Sequence, residues 1–212
     1  MEVFILAAGE QKRWGKDWRI KQLLPIGGEF LIMRIVLQVL DFGHSPVVIT
    51  HRQEIAQAVY KHCDVVDNSH APQANPSICD TALDAYALGP LTTDMTILCG
   101  DVVFDPDDIS RIFADGAGVR VHGKAYEVFS VTAHGEVGFS LLERSLIKAR
   151  DWGRVHGVSA KLWHAYRIMA GFGINEHKID SEIFARARGY TQDIDRPVEY
   201  KRFLEVHRWA NA

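Results

Sequence analysis

Apolar residues open the chain as one unbroken run and then recur in blocks that alternate between strand-like and helix-like spacing. Residues 3–8, Val-Phe-Ile-Leu-Ala-Ala, carry no polar side chain and stop at Gly9. A run of that length, with branched and aromatic side chains, predicts a strand buried on both faces. Over residues 30–42 the period changes. Ile32, Ile35, Val36, Val39 and Leu40 fall on one face of a helix that Gly43 ends. Residues 46–50 predict a second strand, 53–62 a helix, 64–67 a short third strand and 68–75 a loop. Residues 77–88 read as a helix, with Ser77 placed to cap it and Asp80 three residues on. Residues 95–99 form a fourth apolar strand that closes at Gly100-Asp101.

This alternation predicts a parallel sheet with helices on both faces. Ligands in such sheets bind beyond the carboxyl ends of the strands, where Gly9 and Gly100-Asp101 stand. The second half is less regular. Residues 107–113 predict a helix, 119–122 and 126–133 strands, and 135–142 a strand pairing back as a hairpin. Residues 142–150 read as helical, 151–159 as irregular and 166–172 as a strand. Residues 179–188 form an amphipathic helix stopped by Gly189, and 197–209 a last helix with Pro197 in its first turn. With no repeat, low-complexity segment or linker in sight, one domain over residues 1–212 is expected.

Composition narrows the classes. A chain of 212 residues should bury roughly 70–75% of its unfolded surface, so a core needs neither disulfides nor metal. Hydrophobic residues at 47% and charged residues at 24% exclude a disordered or fibrous chain. The mean hydropathy is −0.07, and no apolar run approaches the roughly 18 residues of a membrane span. A net charge of −3 gives no basic balance for nucleic acid. Cys63, Cys79 and Cys99 lack the paired short spacing of a zinc motif or a disulfide framework. Met1-Glu2 leads into the first strand without a basic leader, so a cytoplasmic protein is expected.

Three stretches carry chemistry. The first runs from Leu6-Ala7-Ala8-Gly9-Glu10 through Arg13-Trp14-Gly15 to Lys21-Gln22-Leu23-Leu24-Pro25. A strand entering a turn of small residues exposes backbone N–H groups as an anion-binding concavity. Arg13 adds a fork matched to phosphate oxygens and Lys21 a point charge. A plain turn with solvated basic residues is the alternative. The second is Leu98-Cys99-Gly100-Asp101, a carboxylate at a strand end that suits Mg²⁺ or, alternatively, caps the next turn. The third is Asp193-Ile194-Asp195, whose carboxylates share one side if the segment is extended. Asp195 could instead cap the last helix.

Together these stretches resemble the signature of the nucleotidyltransferase superfamily with a glycosyltransferase-A-like fold. Glu10 and Gln11 depart from it, since small residues usually follow the glycine. The resemblance implies an α/β, Rossmann-like three-layer sandwich with a mostly parallel mixed sheet. Its nucleotide-binding half would be residues 1–105, and its acceptor half residues 106–212 with the C-terminal helix. It implies Mg²⁺-dependent transfer of a nucleoside monophosphate from a triphosphate to a small phosphorylated acceptor, with pyrophosphate leaving and no nucleic acid or membrane partner. Leu6, Ala7, Ala8, Gly9, Glu10, Arg13, Lys21, Ser77 and Gly100 would touch the nucleotide, Ser77 having helix capping as its other reading. Arg13, Lys21 and Asp101 would be catalytic. Asp101 and Asp195 would hold the metal, with Asp193 and Asp105 in reserve, although Asp105-Pro106-Asp107-Asp108 also reads as an acidic helix start. Arg154, Lys161 and Arg167 are candidates for the acceptor phosphate, and Trp152 and Trp163 for core or pocket wall. A glycosyltransferase of this fold would normally carry Asp-x-Asp where this chain has Asp101-Val102-Val103. The remaining alternative is a degenerate nucleotide-binding regulatory domain. Base, acceptor and oligomeric state are not legible in the sequence.

Overall fold

Val3, Phe4 and Ile5 are buried in succession, which places β1 (Glu2–Leu6) inside a sheet covered on both faces. The structure, a computed structural model, describes residues 1–9, 14, 20–68, 77–88, 92–114, 116–180 and 182–211. After β1 come a 3-10 turn at Lys21–Leu23 and a small hairpin of β2 (Pro25–Ile26) and β3 (Glu29–Phe30). The chain continues through α1 (Leu31–Asp41), β4 (Pro46–Ile49), α2 (Gln53–Val59), β5 (Asp64–Val66), α3 (Ile78–Ala87) and β6 (Met95–Cys99). The second half holds β7 (Val102–Val103), α4 (Pro106–Ala114), β8 (Val119–Lys124), β9 (Glu127–Ala133), α5 (Gly135–His156) and α6 (Leu162–Met169). It closes with β10 (Phe184–Arg186), β11 (Gln192–Asp193) and α7 (Pro197–Val206).

Among the described residues seven strands form the main sheet, in the order β10-β8-β9-β6-β1-β4-β5. β5, β4, β1 and β6 pair in parallel, β9 runs against both its neighbours, and β10 is parallel to β8. The sheet is thus mixed and mostly parallel, as the resemblance implied. β1, β4 and β5 build outward one way, and β6 returns to the other side of β1. The carboxyl ends of β1 and β6 therefore flank the point where strand order reverses, the place where open α/β sheets form their binding crevice. Leu31, Ile32, Ile35, Val36 and Val39 of α1 are buried at helical spacing, each contributing on the order of 1.5–3 kcal/mol relative to exposure. α3, α5 and α6 pack on one another, and α1 packs on α2.

Five expectations for the second half are corrected. Residues 135–142 are no hairpin strand but the start of α5, which also runs through 151–156. Gly138, Leu142, Ser145, Leu146, Ala149 and Gly153 are its buried stripe. Gly138 lets the helix approach β8, because a Cβ there would stand 2.7 Å from the Gly118 carbonyl oxygen. Residues 166–172 are no strand. Their aromatic character belongs to α6, which starts four residues earlier and buries Leu162, Trp163, Ala165 and Tyr166. Residues 179–188 are no helix, because the edge of β8 recruits Phe184–Arg186 as β10, with Phe184 opposite Val121. The last helix ends at Val206, and a separate 3-10 turn follows at Arg208–Asn211.

The β8–β9 pairing slips at His122/Gly123. Such bulges re-aim side chains and are frequent beside functional sites. A Cβ on Gly123 would overlap the Glu127 backbone carbonyl. Gly123→Ala is accordingly expected to cost about 2–4 kcal/mol in urea unfolding. Gly116, whose added Cβ meets only the Ala114 carbonyl oxygen at 3.8 Å, should tolerate alanine within about 0.5 kcal/mol. Equal stabilities for the two variants would contradict the bulge.

Candidate active site

The site grows out of two strand ends held unusually close. Gly100 N–H donates to the Leu6 carbonyl oxygen at 2.9 Å. A Cβ at Gly100 would lie 2.8 Å from that oxygen and 3.2 Å from the Ala7 Cβ. Only glycine keeps the ends of β1 and β6 in this contact. Ala7 and Ala8 are buried and Gly9 is exposed on the cleft. Ala7 remains tied to the sheet through its N–H to the Ile49 carbonyl oxygen and its own carbonyl from the Thr50 hydroxyl.

Asp195 reaches Asp101 across 94 positions of sequence (195−101) by backbone pairing. β11 pairs antiparallel with β7, setting Asp193 opposite Val102. Ile194 N–H then donates to the Asp101 carbonyl oxygen at 3.0 Å. Ile194 itself is fully buried, so Asp193 and Asp195 on either side of it face the cleft. The start of α7 is satisfied by Glu199, whose Oε2 accepts from the N–H groups of both Asp195 and Arg196. Capping therefore does not consume the Asp195 carboxylate.

Lys21 joins the pieces. It stands on the 3-10 turn, 7% exposed, and its Nζ donates to Asp101 Oδ2 and, at 3.1 Å, to Asp195 Oδ1. One ammonium between two carboxylates offsets their repulsion and fixes their separation. The cleft around them encloses about 580 Å³. Gly9, Trp14, Lys21, Asp101, Asp193 and Asp195 line it, together with Tyr126, Glu127, Lys161 and Trp163 from the second half. Its described lining holds four carboxylates and two ammoniums. Burial, reinforced by Glu127, Asp101 and Glu199 and opposed by Lys21, pushes the Asp193 carboxyl up to about 6. Cys99 also lines the cleft, but burial raises its thiol well above the ordinary value, so it presents no thiolate nucleophile.

The structure thus brings together Gly9, Lys21, Gly100, Asp101, Asp193 and Asp195, and across the cleft Lys161. Glu10 and Arg13 lie outside the described residues. Ser77 caps α3, exchanging hydrogen bonds with Asp80 through both backbone and hydroxyl. Asp105 turns away. Its carboxylate accepts from Asp107 N–H at the start of α4 and from Tyr190 N–H, and it borders a separate depression with Arg111 and Arg188. Arg154 bonds Asp80 at 3.0 Å, tying α5 to α3. Arg167 is buried, donating to the Ile174 carbonyl and to His177 Nδ1. Neither arginine lines the cleft. The sequence singled out neither Tyr126, in the β8–β9 turn, nor Glu127, the first residue of β9. A strand break near Gly123 was the only available signal.

Among the described residues no group of three or more His, Cys, Asp and Glu side chains forms a metal cage. Mg²⁺ commonly takes only one or two protein carboxylates and fills its shell with water and phosphate oxygens. Asp101 and Asp195, oxygen donors converging on one ammonium in a cleft with excess negative charge, fit that demand.

A glycine at the switch point of a mostly parallel sheet, faced by a lysine and paired carboxylates, is the arrangement of a nucleotide-handling α/β enzyme. The chain belongs to the MobA-like NTP transferase domain family, whose model matches residues 3–158; it is a nucleotidyltransferase. No curated protein sequence matches it. Among solved structures, a chain described as a glucose-1-phosphate thymidylyltransferase from Bacillus anthracis superposes with TM-score 0.68 at 12% identity, covering 97% of this chain and 94% of its own. Rv0371c from Mycobacterium tuberculosis gives 0.62 at 19% identity, covering 96% of each chain. The inositol-1-phosphate CTP transferase from T. maritima gives 0.63 at 13%, covering 96% and 94%. At these identities the likeness is one of fold. No helix among the described residues is long and apolar enough to cross a membrane.

The raised Asp193 carboxyl has a consequence for stability. Between its ordinary value of 3.8 and about 6, the folded chain holds a proton that the unfolded chain has lost. Its contribution therefore destabilises the fold above pH 6, and stability is regained as pH falls through that window. In metal-free buffer, Asp193→Asn is expected to raise stability at pH 7.5 by about 1–2 kcal/mol and to flatten the profile between pH 4 and 6. Unfolding curves across pH check this. An unchanged profile would contradict it.

Proposed function

We propose that this cleft transfers a nucleoside monophosphate from a triphosphate to a small phosphorylated acceptor, with Mg²⁺ as cofactor. The observation that carries the reading is the Lys21 ammonium gripped by Asp101 and Asp195 at the strand-order reversal, in the cleft that Gly9 also lines. An acceptor phosphate oxygen attacks the α-phosphorus in line. The bond from that phosphorus to the β-phosphate bridging oxygen breaks, and its electron pair leaves with pyrophosphate. A phosphate acceptor is already ionised at neutral pH, so no general base is needed. Such transfer depends on positioning and charge neutralisation.

The residues divide the work. Gly9 would offer its backbone N–H to the polyphosphate and Arg13 a guanidinium, the roles that the family resemblance implies for them. Lys21 exchanges a carboxylate contact for a phosphate oxygen as charge builds at the reacting centre. Asp101 and Asp195 would hold Mg²⁺, which when bound supplies positive charge to the phosphates in a carboxylate-rich cleft. Lys161 contributes positive charge on the acceptor side.

The purified protein with Mg²⁺, each common triphosphate and a panel of phosphomonoesters should yield one nucleotidylated product and an equal amount of pyrophosphate, scored by mass spectrometry. Asp101→Asn should lower turnover by about 10²-fold or more, partly recovered at high Mg²⁺. Lys21→Ala should lower kcat more than it changes KM. Tight nucleotide binding without product from any acceptor would leave a binding domain. Full activity of Asp101→Asn at low Mg²⁺ would remove the assigned metal site.

A further inference from the structure

Lys21 and Asp195 meet in the cleft, yet the main sheet carries neither of them. Lys21 leads through Leu24 into the β2–β3 hairpin, with the Leu24 N–H donating to the Lys21 carbonyl oxygen at 3.2 Å. Asp195 follows β11. The hairpin and the β7–β11 pair are each a two-stranded sheet of their own. No strand pairing among the described residues therefore sets the Lys21 side against the Asp195 side. A buried ion pair repays its desolvation only with good geometry, so whatever sets that separation governs the contact.

Trp209, in the C-terminal 3-10 turn, touches both sides. Toward the hairpin it covers Gly27, which has φ of 61° and where a Cβ would meet the indole at 3.4 Å. The Gly27 N–H donates to the carbonyl oxygen of the neighbouring Ala210 at 2.9 Å. Toward the other side the indole packs on Tyr190, 5.1 Å between ring centroids with planes at 51°. Tyr190 stands two residues before β11, and its N–H donates to the Asp105 carboxylate. The Arg34 guanidinium of α1 closes the ring of contacts. It lies 4.7 Å from the Trp209 ring centroid, and its Nη2 donates to the Tyr190 hydroxyl at 3.3 Å. A cation over an indole face adds attraction to the packing. Gly27, Arg34, Tyr190 and Trp209 are absent from the described lining of the cleft. Trp209 is 37% exposed, so core filling alone does not account for an indole held from three directions.

We propose that Trp209 is a positioning residue for the transfer, clipping the hairpin that follows Lys21 to the segment that delivers Asp195 and so setting the distance at which the two meet. Its effect on turnover rests on the transfer reading. Its effect on the Lys21 contact is readable without any substrate.

The stability lost on Lys21→Met is measured by urea unfolding of the full chain, once with Trp209 present and once in Trp209→Ala. A packing role alone gives additive losses, as for separated sites. Positioning predicts that the Lys21→Met loss shrinks to half or less without the indole and returns in Trp209→Phe. Arg34→Met keeps the stem and removes the guanidinium that bridges Trp209 and Tyr190. It should shrink the Lys21→Met loss in the same direction, which keeps the test decisive if Trp209→Ala folds poorly. With a triphosphate and acceptor that yield product, Trp209→Ala should lower kcat roughly tenfold through misplacement and leave KM within about twofold, and Trp209→Phe should recover it. A Lys21→Met effect of the same size in all backgrounds, or an unchanged kcat in Trp209→Ala, would overturn the proposal. Product formation with additive losses removes the clip and keeps the transfer. Non-additive losses in a chain that forms no product keep the clip and remove the transfer.

Discussion

One buried ammonium organises this molecule's working end. Lys21 lies between Asp101 and Asp195, and each of the three arrives from a different part of the chain. Asp101 follows the strand at the switch point, Lys21 stands on the 3-10 turn at Lys21–Leu23, and Asp195 returns from the C-terminal segment. Two carboxylates held this close would repel if left alone, and a lysine this buried would be costly without partners. The triad therefore satisfies itself electrostatically and fastens the last 20 or so residues to the first 30. Other contacts follow the same seam. Tyr200 donates its hydroxyl to the Pro25 carbonyl oxygen, and Gly27 N–H donates to the Ala210 carbonyl oxygen.

The sheet makes that seam possible. Parallel β1 and β6 end side by side because Gly100 lets their backbones touch. The antiparallel β9 then turns the chain back, and the bulge at His122/Gly123 accompanies the turn that carries Tyr126 and Glu127 into the cleft. One wall of the cleft is charged, with Lys21, Asp101, Asp193 and Asp195, whereas the other is aromatic with Lys161 at its edge. The described lining carries more carboxylate than ammonium, so the proposed transfer needs added positive charge there.

Among the described residues of the first hundred, β1, β4, β5, β6 and the helices between them were legible because their signals agreed, while the small β2–β3 hairpin was not read and the loop expected at 68–75 lies almost wholly outside the described residues. Buried parallel strands read as apolar runs, helices carried clean periodicity, and Ser77-x-x-Asp80 announced its own cap. Lys21, Asp101 and Asp195 were legible as candidates through motif resemblance, but their mutual grip was not, since backbone pairing of β7 with β11 creates it. The second half misled where tertiary context overruled local pattern. Residues 135–142 read as a hairpin strand and 151–159 as irregular, yet Gly138 and Gly153 are close-packing positions inside α5. Residues 166–172 looked strand-forming, yet Tyr166 packs with Trp163 on the buried face of α6. Ile179 and Ile183 had helical spacing, yet an open sheet edge captured the residues after them. Arg154 and Arg167 carried the right charge for a phosphate, but Asp80 and the His177 loop already occupy them.

A double-mutant cycle on Lys21→Met and Asp195→Asn, read by urea unfolding in metal-free buffer, tests the central claim most directly. If the ammonium joins the two chain ends, the double variant loses much less than the two single losses added, with a coupling of about 1 kcal/mol or more. Additivity within about 0.5 kcal/mol would mean that Lys21 and Asp195 act independently, and would contradict the account.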